Sequence, residues 1–197
     1  MKVFRTIAAL MLTIASAGTA QADWQLDNDQ SNLSFVTIKA THIAEVHRFT
    51  QLRGSLNAAG EADIEIALAS VETNIPIRNE RMQQMLFETN LFPSAAISAA
   101  FDAEVLAGLA AGDSRMLDVS AQLRIKQNSI PISVPVLAAR LNAETLLLTS
   151  TQPVLVSADS LGLTEGVEKL REIAGLPSIT RAVPVSFVLT FRLGQSI

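Results

Sequence analysis

The sequence predicts an all-β protein, a closed antiparallel up-and-down barrel with two short helices in its connections. Three observations carry that prediction. Apolar residues recur at every second position in several separate segments, the period of a strand with one buried face. Turn signals divide these segments at Ala59-Gly60, Gly112-Asp113 and Asn128-Ser129. The 197 residues, 49% hydrophobic and 17% charged, suffice for one domain with a sizeable core, and they contain no repeat, linker or low-complexity tract.

The chain opens with Lys2 and Arg5, an apolar stretch from Ile7 to Ile14, and small residues ending at Ala20-Gln21-Ala22. This is the order of a secretory signal peptide cleaved after Ala22. The apolar run is shorter than the about 20 residues that span a bilayer as a helix, and no later stretch is long enough. The expected product is one exported domain, residues 23–197, which for a bacterial chain means the periplasm. The leader takes two of the 15 basic residues and no acidic ones, leaving 13 against 19 and a formal charge of −6.

Strands follow in order at Asn32–Ala40, Arg48–Leu56, Ala62–Leu68, Ala96–Val105, Arg115–Lys126, Ile130–Val136, Glu144–Val156 and Val183–Leu193. In the third, Asp63 and Glu65 alternate with Ile64, Ile66 and Leu68. The fifth is the longest half-buried strand, with Leu117, Val119, Ala121, Leu123 and Ile125 on one face. Two segments have helical spacing instead. Ile77 to Phe87 aligns Ile77, Arg81, Met82, Met85 and Leu86, while Thr164 to Ala174 aligns Val167, Leu170, Ile173 and Ala174, with Thr164 as the expected N-cap. Closing the strands into a barrel removes exposed sheet edges; a β-sandwich of the same strands is the alternative.

Composition excludes several functions. A pI near 5.2 gives no basic face for nucleic acid. With no cysteine there is no disulfide framework, thiolate metal site, thiol nucleophile or lipoprotein anchor. An outer-membrane barrel needs aromatic girdles, and the chain has one tryptophan and no tyrosine. Neither a Gly-x-Ser-x-Gly nucleophile elbow nor a glycine-rich phosphate loop is present.

A barrel of about eight strands is either filled by its own side chains or hollow enough for one ligand. Inward files of Val, Ile, Leu and Ala, with only 5% aromatics overall, are compatible with both. A hollow interior would select a hydrocarbon chain, at about 0.8 kcal/mol per buried methylene. The files expected to line it are Phe35; Ile64, Ile66 and Leu68; Leu117, Val119 and Leu123; Ile132 and Val134; and Val185, Phe187 and Leu189.

Two polar groups stand out. His42, Glu45 and His47 invite a metal reading, but in a strand only Glu45 and His47 share a face, so a solvated loop or strand end is favoured; otherwise they sit at the tunnel mouth near a head group. Arg78 and Arg81, three apart on the first helix, could project together toward an anionic head group such as a phosphate, or pair on the surface with Glu80 or Glu88. Met82 and Met85 are expected to face the core.

The ordered series Trp24-Gln25-Leu26-Asp27, Ser31-Asn32-Leu33-Ser34-Phe35, Phe49-Thr50-Gln51-Leu52-Arg53-Gly54, Ser70-Val71-Glu72-Thr73, Arg78-Asn79-Glu80-Arg81-Met82, Phe92-Pro93, Ala121 to Ile125 and Ser160-Leu161-Gly162-Leu163 resembles the YceI-like family over nearly all of residues 23–197. Two positions depart from it, Asn79 where many members have Asp and Ser129 where many have Gly. The resemblance implies a periplasmic, lipocalin-like antiparallel barrel whose tunnel holds a polyisoprenoid or other long-chain lipid. It brings no catalytic set, metal or cofactor, and a homodimer is compatible with it. The contrasting expectations are a ligand-free envelope interaction module with a packed barrel and an unrecognised hydrolase.

Overall fold

The computed structural model describes residues 23–194, so the expected leader, residues 1–22, lies outside the described residues. The strands are β1 (Trp24–Leu26), β2 (Asn32–Lys39), β3 (Ile43–Phe49), β4 (Leu52–Leu56), β5 (Glu61–Ala67), β6 (Val71–Glu72), β7 (Ser94–Ala100), β8 (Ser114–Ile125), β9 (Asn128–Asn142), β10 (Thr145–Ser150), β11 (Val154–Ser157) and β12 (Ala182–Leu193). Antiparallel pairing runs β1-β4-β5-β7-β8-β9-β10-β12 and closes where β12 meets β1 at Leu193 and Trp24. The barrel is closed, and the sandwich is excluded.

The other four strands continue staves of this ring upward. β2 prolongs β1 and pairs β12 from Phe35 opposite Val185, while β11 prolongs β10 along the other edge of β12. β3 precedes β4 in the same stave, and β6 follows β5 to pair β3. Eight staves result, one for each strand read from the alternation.

The boundaries differ where a local interaction overrides the period. The expected strand Arg48–Leu56 begins earlier, at Ile43, and breaks at Thr50-Gln51, whose backbone N–H groups donate to the Ser70 hydroxyl at 3.2 and 3.1 Å. Ala96–Val105 ends as a strand at Ala100 because Asp102 caps a helix, α2 (Ala103–Ala107 in sequence, with α1 being Pro76–Arg81), accepting from Glu104 and Val105 N–H. Glu144–Val156 is interrupted before Pro153, which has no N–H for the ladder. The expected turn at Asn128-Ser129 lies inside β9; the chain reverses at Lys126-Gln127, with Lys126 at φ 54°.

At one end, opposite the β7–β8 connection that holds α2, lie the two longest connections, 73–93 and 158–181. There α1 runs into a π-helical turn, Met82–Phe87, and α3 (Thr164–Ile173) bridges β11 to β12. Leu163 takes the N-cap position of α3, and the Thr164 hydroxyl donates to Asp159 Oδ1 at 2.6 Å instead of capping. At the opposite end, the base, Trp24, Leu56, Leu109, Ala138 and Leu146 are buried. The outward face carries charge, as in the Arg53–Glu65 pair across β4 and β5, opposite to the apolar exterior of a membrane barrel. Among the described residues no helix is long and apolar enough to cross a membrane.

Candidate functional site

Alternation turns one face of every stave inward, so aliphatic files line the interior. They do not fill it. A cavity of about 470 Å³ extends from the helical end down to Phe101, Val136 and Phe191, within the roughly 300–1,000 Å³ typical of small-molecule sites.

Its wall contains Phe35, Ile64, Ile66, Val119, Leu123, Ile132, Val134, Val185, Phe187 and Leu189, and Arg78 and Arg81 lie at its upper end. Two expected residues are not in the lining. β5 ends at Ala67 and Leu68 starts a 3-10 turn, so its buried side chain leaves the file of Ile64 and Ile66. Leu117 has the inward parity but sits low on β8, opposite Val136 at the lower limit of the cavity.

The roof comes from helices. Met82, Leu86 and Phe87 of the π-helical turn and Val167 and Leu170 of α3 face the cavity, while Met85 does not line it. The two elements cross at Gly166, where a Cβ would lie 2.8 Å from Leu86 Cα and Met85 O; a side chain there would push them apart. An aromatic chain ties this roof to the wall, Phe87 to Phe49 at 5.9 Å, Phe49 to Phe35 at 5.4 Å, and Phe35 edge-on to His47 at 5.4 Å. The mouth lies beside α1, since Ile75 and Ile77 line the cavity yet remain 42% and 51% exposed. Across from them, residues 174–180 are held to β2, with Ala40 N–H donating to Ser178 O and Thr180 N–H to Ile38 O.

The upper wall is polar. Glu45 on β3 accepts from Lys39 Nζ at 2.9 Å and Arg78 Nη1 at 2.7 Å. The Lys39 ammonium bonded to it holds the Glu45 carboxyl below the usual carboxylate range against the opposing effect of burial, and Arg78 adds to the lowering. Arg78 is aimed by its second nitrogen, Nη2, which donates to Thr73 O at 2.7 Å. Thr73 in turn gives its N–H and hydroxyl to Asn79 Oδ1, while Asn79 Nδ2 donates to Glu72. An amide at position 79 thus supplies the acceptor and the donor; an aspartate would face Glu72 with a second negative charge.

His47 corrects the expectation of a solvated loop: it is a β3 residue 4% exposed, with Nε2 2.9 Å from Thr37 Oγ1. Burial pushes its pKa down and the nearby Arg78 pushes the same way, so the neutral ring is the favoured form. His42 is exposed in the β2–β3 turn, away from it. Among the described residues no three His, Asp or Glu side chains are grouped to hold a metal ion. The surface pairing of Arg78 with Glu80 or Glu88 does not occur, since Arg78 takes Glu45 and Glu88 takes Lys126. Sequence reasoning did not include Thr37, Lys39 or Thr180 in the site, although Phe35, Thr37 and Lys39 share one parity on β2.

A family model described as the YceI-like domain matches residues 24–191. Among solved structures, a polyisoprenoid binding domain from Saccharophagus degradans implicated in plant cell wall breakdown is similar, with 38% identity, a TM-score of 0.84, and coverage of 87% of this chain and 98% of that one. Burkholderia cenocepacia BcnA shares the fold at 19% identity and a TM-score of 0.64, covering 84% of this chain and 98% of its own. No curated protein matches.

Proposed function

The chain belongs to the YceI-like family, and from that premise we propose that it is a periplasmic binding or carrier protein that holds a polyisoprenoid, or a comparable long-chain amphiphile, in its barrel. The observation that carries this reading is the aliphatic cavity of about 470 Å³ under the helical roof. Each methylene moved from water into such a wall contributes about 0.8 kcal/mol, so a dozen contribute about 10 kcal/mol before association and ordering costs. Burial of this kind needs no reacting group, and the activity proposed is binding rather than catalysis. The isoprenoid class is supported by the 38% identical domain described as polyisoprenoid binding. Export is supported by the basic, apolar and small-residue order of residues 1–22.

Native mass spectrometry of the protein isolated gently from its own periplasm tests both parts. The expected spectrum is a polypeptide starting at Asp23 that carries the mass of one lipid. A polypeptide retaining residues 1–22 contradicts export, and an apo mass alone contradicts the carrier reading in favour of a ligand-free interaction module.

A further inference from the structure

Among the described residues, three buried side-chain polar atoms have no hydrogen-bond partner: His47 Nδ1, Arg78 Nε and Thr180 Oγ1. All three residues line the same cavity, on three different elements, β3, α1 and the segment held to β2. Buried polar groups are normally satisfied, so three orphans on residues that line one cavity point to a partner that comes from outside the chain. The charge of the lining defines that partner. Lys39, Arg78 and Arg81 stand against the single carboxylate of Glu45, and Arg81 makes no ion pair among the described residues.

We propose that the upper wall is a head-group site for an anionic oxygen terminus, a carboxylate or a phosphate, on the lipid whose chain fills the cavity below. This rests on the reading of the cavity as a lipid site. Arg78 is already oriented, with Nη1 on Glu45 and Nη2 on the Thr73 carbonyl, so its Nε–H is the donor left over. Thr180 contributes a hydroxyl proton. In neutral His47, the Thr37 hydroxyl can donate to Nε2, and Nδ1 then carries the proton. Three donors then face one group that has only acceptors. Glu45 acts as a positioning residue, fixing the two cations without cancelling both.

The test compares probes that share one C20 isoprenoid chain and differ at the end: geranylgeranyl phosphate, geranylgeranoic acid and geranylgeraniol. The two anions are expected to bind about tenfold or more tightly than the alcohol, and the phosphate-to-acid ratio then tells which oxyanion the site suits. In Thr180→Val, an isosteric change that removes an unpartnered hydroxyl, the thermal midpoint of the ligand-free protein should hold or rise while the anion preference falls severalfold. In Arg78→Lys, which keeps the charge but loses Nε–H, the preference should also fall. Equal binding of alcohol and anions overturns the head-group site and leaves the lipid cavity standing, as does a preference unchanged in both variants. Failure of all three probes to bind overturns the lipid reading and the head-group site together.

Discussion

At the base of the barrel, Trp24, Leu56, Leu109, Ala138 and Leu146 are buried in the common core and lie outside the cavity lining. Higher up, Ile66, Val119, Leu123, Val134 and Leu189 are also buried, but they border open space. Apart from Leu109, which lies in the β7–β8 connection, both levels belong to the staves and obey the same period of two. What separates them is volume and closure. The base is narrowed by an indole, with Arg140 lying over the Trp24 ring at 4.9 Å, and is closed by the β4–β5 and β9–β10 turns and by the β7–β8 connection that holds α2; the upper level is lined by aliphatics, alanines and phenylalanines and roofed by α3 and the π-helical turn, which cross above it. Burial from water and close packing are separate properties, and here one chain has the first throughout and the second at one end.

The largest contrast is expected from the same deletion at the two levels. Leu56→Ala, at a site 1% exposed, should cost about 2–5 kcal/mol of stability in urea unfolding, because the transfer loss is joined by a new void. Leu123→Ala, whose side chain already borders a void, should fall at the low end of that range and weaken lipid binding instead. Equal losses would mean that the two levels are packed alike.

Enlarging an alanine reverses the experiment. Ala138→Leu at the base should cost about 1–3 kcal/mol through overpacking. Ala121→Leu extends into the cavity and should leave stability within about 0.5 kcal/mol while excluding part of the ligand chain. A comparable destabilisation by Ala121→Leu would show that the space is not available. At the roof, Gly166→Ala should part α3 from the π-helical turn, at about 1–3 kcal/mol, and speed dissociation of a fluorescent lipid; unchanged dissociation would remove the roof from the exchange path.

The smallest effect is on pH. Burial first, and Arg78 after it, hold the pKa of His47 below the ordinary 6.5, with Lys39 adding to the lowering and Glu45 opposing it. The unfolded chain therefore takes up this proton first, so the stability involved is complete above pH 6.5 and is lost as the pH falls below it. Urea midpoints at pH 7.5, 6.5 and 5.5 should decline toward acid in the native protein and decline less in His47→Gln. Any loss from Glu45, also held below its ordinary 4.5, begins lower.

The eight staves were legible because each has one solvent face, and a strand with one wet face writes its period into the sequence. Breaks within staves were less legible. Inward residues run Glu45, His47, Phe49 above Thr50-Gln51 and Leu52, Gly54, Leu56 below, a parity change that a single-strand reading smooths over. Leu68 continues the parity of Ile66 in sequence but not in space, since a 3-10 turn intervenes. The hollow itself left no periodic trace, because packed and unpacked aliphatic files alternate identically. The polar wall was half visible: Arg78 and Arg81 share a helix face, whereas Thr180 reaches the cavity only through the pairing of its segment with β2.

Methyl-labelled NMR with geranylgeraniol addresses the central claim most directly, because it reads both levels of the barrel at once. Contacts between ligand protons and the methyls of Val119, Leu123, Val134 and Leu189, with none to Leu56 or Leu146, are the expected result. Contacts confined to outward residues such as Leu155 and Met116, or none at all at saturating ligand, would contradict it.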